Sequence, residues 1–133
     1  MKWKMQWNHT QILTIGNDGL YYLCTYINLM RRTEIVEQIK ITIEKIEPTA
    51  TTILYGSEAR GDARVDSDID VLVLLEGDYR DFKREDAVSG ALYDIELSTG
   101  VPISPMIMLR KQWENRPFKT PFYVNVMNEG ITL

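Results

Sequence analysis

The sequence predicts a small α/β (α+β) domain in which helices flank a β-sheet. Three observations predict it. The 133 residues are one domain's length. The 44% apolar and 26% charged content is that of an ordinary globular chain. Finally, the hydropathy period alternates along the chain as helix, strand, strand, helix, strand, helix, an order that layers helices against one sheet.

Each element has its own signal. From Arg31 to Ile46, Ile35, Val36, Ile39, Ile43 and Ile46 recur at helical spacing, with Thr33 as the expected N-cap and Pro48 just beyond the end. Thr51–Tyr55 is a short β-rich run that stops at Gly56-Ser57. Asp68–Leu75 is a strand that turns apolar on both faces after Asp70, as a strand in the middle of a covered sheet does. Asp78–Thr99 carries Phe82, Val88, Ala91, Leu92 and Ile95 on one side of a second helix, closed by Gly100 and Pro102. Val101–Leu109 reads as a third strand, and Pro102 and Pro105 place it at an edge or give it an irregular entry. A short helix over Phe122–Asn128 closes at Gly130.

Residues 1–29 differ from the rest. They hold Trp3, Trp7, the single His9 and the single Cys24, with no sustained period. Two readings stay open: 1–29 is upstream sequence with Met30 as the natural start, or it is an added strand, a disordered segment or a partner-binding arm. The domain proper is placed at 30–133.

Composition excludes several kinds of chemistry. Fifteen Lys+Arg against nineteen Asp+Glu leave a net charge of −4, which argues against a general grip on nucleic acid. One cysteine and one histidine preclude an internal disulfide, a Cys-rich zinc site and a His-x-x-x-His pair, and argue against a Ser-His-Asp triad. No stretch approaches the roughly 18 apolar residues of a membrane span. Leu20–Met30, with Lys2 and Lys4 ahead, faintly resembles a secretion signal but lacks a small-x-small cleavage site, so the cytoplasm is the expected compartment.

The informative segment is GSEARGDARVDSDID, residues 56–70. In a strand, alternate side chains share a face, so Asp68 and Asp70 project together within reach of one cation. Carboxylate oxygen is a hard ligand, which points to Mg²⁺ or Mn²⁺. Gly56 lets backbone N–H groups approach an anion, and Ser57 would open a helical turn facing it. On such a turn Arg60 and Arg64 lie at i, i+4 spacing, able to meet phosphate oxygens. Either motif alone marks a turn or an exposed strand end. Ten residues apart and bracketed by two apolar strands, they describe a site for a nucleoside triphosphate.

The pattern Gly-Ser, ten residues, Asp-x-Asp, within GSEARGDARVDSDIDVLV, closely resembles the minimal nucleotidyltransferases of the polymerase-β-like superfamily. The resemblance is dense over 53–75 and looser over 31–133. It implies a mixed sheet with flanking helices and an active site at one sheet end. There Asp68 and Asp70 would hold two Mg²⁺ ions, and Gly56 and Ser57 would cradle the triphosphate of ATP or another NTP. A nucleoside monophosphate would then pass to a hydroxyl acceptor. It also implies partners, because small members pair with a HEPN-domain protein as antitoxins and in some cases adenylylate it. Self-association is the other expected contact.

The sequence departs from that family at one point. Complete members carry a third carboxylate on the strand after the second helix, whereas Val101–Met108 holds no acid and puts Ser104 near the expected position. The competing reading makes Tyr93–Leu97 the strand and Glu96 or Asp94 the third ligand. A general base typically contributes about 10²–10⁴ in rate. A degenerate nucleotide-binding module that neutralises its partner by contact is therefore the alternative to an active transferase.

Overall fold

The fold is built around the one strand that is apolar on both faces. The computed structural model describes residues 17–133. In chain order the elements are α1 (Asn17–Ile46), β1 (Thr51–Tyr55), α2 (Gly56–Arg60), β2 (Ile69–Leu75) and α3 (Phe82–Thr99). They are followed by β3 (Ile103–Leu109), α4 (Arg110–Glu114), α5 (Pro121–Glu129) and β4 (Ile131–Thr132). The four strands form one mixed sheet in the order β3-β2-β1-β4. β1 runs antiparallel to β2, with Tyr55 opposite Asp70, and β3 runs parallel to β2, with Ser104 opposite Asp70.

Period two along β2 divides the core. Ile69, Val71, Val73 and Leu75 face a layer made by Ile35, Ile39 and Ile43 of α1 with Val88, Leu92 and Ile95 of α3. Leu72 and Leu74 face Trp113 of α4 and Val126 of α5. Val71, Leu72 and Val73 are wholly buried, so neither face of the strand tolerates a polar residue in its middle. The two prolines keep β3 at the edge, as the sequence predicts.

The helix ends follow local chemistry. α3 starts at Phe82 because Asp81 caps it, its Oδ1 accepting from the Lys83 and Arg84 N–H groups at 2.9 and 3.4 Å. Gly100, at φ +71°, closes it with an N–H to the Glu96 carbonyl at 2.8 Å. Thr120 caps α5, with Pro121 in the first turn.

One expectation is corrected. Thr33 is not an N-cap: α1 begins sixteen residues earlier at Asn17, and the Thr33 hydroxyl donates to the Leu29 carbonyl within the helix at 3.1 Å. α1 also runs unbroken across Met30, so residues 17–29 are helical, while the tryptophans at 3 and 7 and His9 lie outside the described residues. α4 and β4 are additions that the sequence reading did not contain. Among the described residues no helix is long and apolar enough to cross a membrane.

Candidate active site

One end of the sheet gathers the predicted side chains. β1 ends there and β2 and β3 begin there, so Tyr55-Gly56, Asp68–Asp70 and Ser104 become neighbours from three strands. Asp70 sits on the β2 face shared by Leu72 and Leu74, beside Tyr55. Burial and then the charge of Asp68 push the Asp70 carboxyl above the usual carboxylate range, while Arg60 pulls it back in part. Burial and then the nearby Asp70 push the Tyr55 phenol up as well. Among the described residues, no ion pair involves Asp68 or Asp70. Two acids thus face each other unrelieved by a bonded base.

Gly56 is required where it stands. Its φ is +71°, and a Cβ built there would lie 2.5 Å from Asp70 Oδ2. The turn and the carboxylate are therefore packed against each other, with Ser57 the next residue of α2. The helix has no side-chain cap at Tyr55, which leaves its leading amides to other acceptors.

The chain brings most of the predicted residues together, but not all. Arg60 ends α2, pairs with Asp62 at 3.3 Å and Glu129 at 3.1 Å, and remains close enough to act on Asp70. Arg64 does not share a helix face with it. Gly61 takes the left-handed conformation and ends α2, so the i, i+4 reading fails. Arg64 instead lies in the loop, 84% exposed and 3.8 Å from Asp66.

The candidates for the third position fall in different places. Tyr93–Leu97 lies within α3, so β3 is the strand that follows the second helix, and it carries no acid. Glu96 uses its carboxylate to accept the Ile103 N–H at 2.8 Å, tying α3 to the start of β3. Ser104 occupies the register position beside Asp70, and its hydroxyl donates to Asp68 Oδ2 at 3.0 Å. Asp68, Asp70 and Ser104 form an all-oxygen donor set suited to a hard divalent cation. Among the described residues no group of three or more His, Cys, Asp or Glu is placed to hold a metal, so the expected pair of ions would have two carboxylates to share.

Sequence reasoning missed Arg32. This α1 side chain is 4% exposed and reaches both Glu58 and the Ser67 carbonyl, at 2.7 Å each. Its partners lie 26 and 35 residues away, so no local pattern announces them. A cavity of about 130 Å³ nearby, lined by Arg31, Arg32, Val65 and Thr99 among others, includes neither Asp68 nor Asp70. The acids lie on the open end of the sheet.

No curated protein matches the chain. Among solved structures, a candidate nucleotidyltransferase from Sulfolobus solfataricus is 19% identical, with 90% of this chain and 89% of that chain covered at a TM-score of 0.46. The family model described as the nucleotidyltransferase domain matches residues 35–131, a span that contains Gly56-Ser57, Asp68, Asp70 and Ser104. The chain belongs to the nucleotidyltransferase domain family.

Proposed function

We propose that this protein binds a nucleoside triphosphate with a divalent cation at Asp68 and Asp70, and transfers a nucleoside monophosphate to a hydroxyl acceptor. One observation carries the reading: two acids converge with no ion-pair partner among the described residues, beside a glycine turn that nothing larger would fit. Mg²⁺ is the cation proposed and ATP the first donor to test. Bound there, the cation would neutralise the phosphates and polarise the acceptor oxygen.

The chain's own residues supply the rest. Gly56 and Ser57 present the leading amides of α2 and a hydroxyl to the phosphates. Arg60 contributes positive charge at the same end. Ser104 holds Asp68 through its hydroxyl. In the transfer the acceptor oxygen bonds the α-phosphorus, the α–β anhydride bond breaks and pyrophosphate leaves. The acceptor proton passes to solvent, since β3 provides no carboxylate to take it.

The same acid-free β3 favours a second reading, a module that binds nucleotide and neutralises a partner without transfer. The resemblance to minimal nucleotidyltransferases makes a cytoplasmic HEPN-domain toxin the acceptor in the first reading and the bound partner in the second. Incubation with Mg²⁺, ATP labelled at the α-phosphate and a HEPN protein encoded alongside separates them. Label on the partner, absent with Asp70→Asn, supports transfer. Unlabelled but neutralised partner supports the module, and failure of the chain to bind Mg–ATP removes both.

A further inference from the structure

Arg32 joins the two halves of the site from outside it. Its Nε donates to Glu58 Oε2 at 2.7 Å, and its Nη2 donates to the Ser67 carbonyl at 2.7 Å. Glu58 follows Ser57 on α2, and Ser67 immediately precedes Asp68. One planar guanidinium therefore spans the turn assigned to phosphate and the start of the strand that carries the acids. Between these contacts the chain passes through the surface loop 61–67, where Val65 is 65% exposed and anchors nothing in the core.

Stability does not account for this arrangement. The two side chains are 5% and 9% exposed, and burying an ion pair costs about as much desolvation as the attraction returns. The third guanidinium nitrogen, Nη1, is buried with no hydrogen-bond partner among the described residues, which adds to that cost. A pair of this kind is of more use for fixing geometry. The rigid fork of arginine sets two directions at once, which lysine, a flexible point charge, does not.

We propose that Arg32 is a positioning residue that sets the separation between the α2 turn and the Asp68/Asp70 pair. A ligand spanning both halves is thereby bound in one piece. The inference rests on the nucleotide-binding reading above. It predicts that the strut matters to a ligand touching both halves and not to one touching the acids alone.

The test uses the full chain with Arg32→Lys, Glu58→Gln and the double variant. Calorimetry is run with Mn²⁺ alone and with α,β-methylene-ATP plus Mg²⁺, and thermal melts are recorded beside it. Arg32→Lys is expected to weaken the nucleotide analogue about tenfold or more, the size of one lost hydrogen bond to a charged group, while Mn²⁺ affinity stays within about twofold. Glu58→Gln should do the same, and the double variant should be no worse than either single one. Should Arg32→Lys fail to fold, Glu58→Gln decides alone. Equal losses for Mn²⁺ and nucleotide, or no loss in either variant, would overturn the strut while leaving the site intact. Wild-type protein that binds Mn²⁺ but no nucleotide would overturn the site reading and the strut together.

Discussion

The two ends of the sheet handle charge in opposite ways. At the far end, beyond Leu75 and Leu109, the charges are matched. Arg84 grips both oxygens of Glu47 at 2.9 and 2.7 Å and also donates to the Glu76 carbonyl. Arg110 bonds Glu76 and Thr51, Lys111 meets Asp78 at 2.9 Å, and Arg80 holds Glu85 through two nitrogens. At the site end, among the described residues, Asp68 and Asp70 have the Ser104 hydroxyl and the more distant Arg60. One end pairs its charges within the chain; the other leaves two carboxylates without an ion pair among the described residues. A chain that pairs its acids on one side has left two of them without an ion pair on the other, the arrangement from which the proposed ligand site is argued.

The comparison is sharpened most by Asp70→Asn. The amide keeps the shape and removes the charge, so Mg²⁺-dependent binding of α,β-methylene-ATP should fall by about 10²-fold or more. Calorimetry reads it, and unchanged affinity would erase the contrast between the ends. Next in size is Arg84→Met. Stripping a charged, two-pronged hydrogen bond from largely buried Glu47 should cost about 2 kcal/mol in urea unfolding and leave nucleotide affinity unchanged.

The pH dependence of that pair follows from its sign. The bonded Arg84 guanidinium holds the Glu47 carboxyl below its ordinary value of 4.5. Its contribution is therefore complete above about pH 4.5 and is lost as pH falls through the lowered value. The stability gap between wild type and Glu47→Gln should be flat at neutral pH and close in acid. Asp70 has the opposite sign. Its carboxyl is pushed up by burial and by Asp68, so its ionised form opposes folding above that raised value. Metal-free Asp70→Asn should gain stability at neutral pH, by no more than about 1 kcal/mol because solvent reaches the group. Thermal melts should show the gain shrinking as pH drops. A variant that is worse at binding and better at staying folded marks a functional residue.

Legibility in the sequence tracked how local each determinant is. β1, β2 and the end of α3 were readable because period and glycine stops lie within the segment itself, whereas α3 starts at Phe82 behind the Asp81 cap and not at Asp78. The Gly-Ser and Asp-x-Asp motifs were readable because their spacing is short and both ends meet at one register position. The stretch of α1 just before Arg31 was not, because Tyr26, Ile27, Leu29 and Met30 are all exposed and form no buried stripe. β4 has two residues, too few to show alternation. Arg64 misled because the turn at Gly61 ends the helix that the i, i+4 spacing assumes. Arg32 was invisible because its meaning depends on partners far along the chain.

The notch at Gly56 has an evolutionary consequence. Any side chain there meets both an unfavourable backbone angle and the oxygen of Asp70, so positions 56 and 70 cannot drift separately. In a library randomised at both, Gly56→Ala should survive chiefly alongside a shortened residue 70. Descendants that shed the acid would escape the clash but still meet the strained backbone angle, so the glycine should outlast the acid.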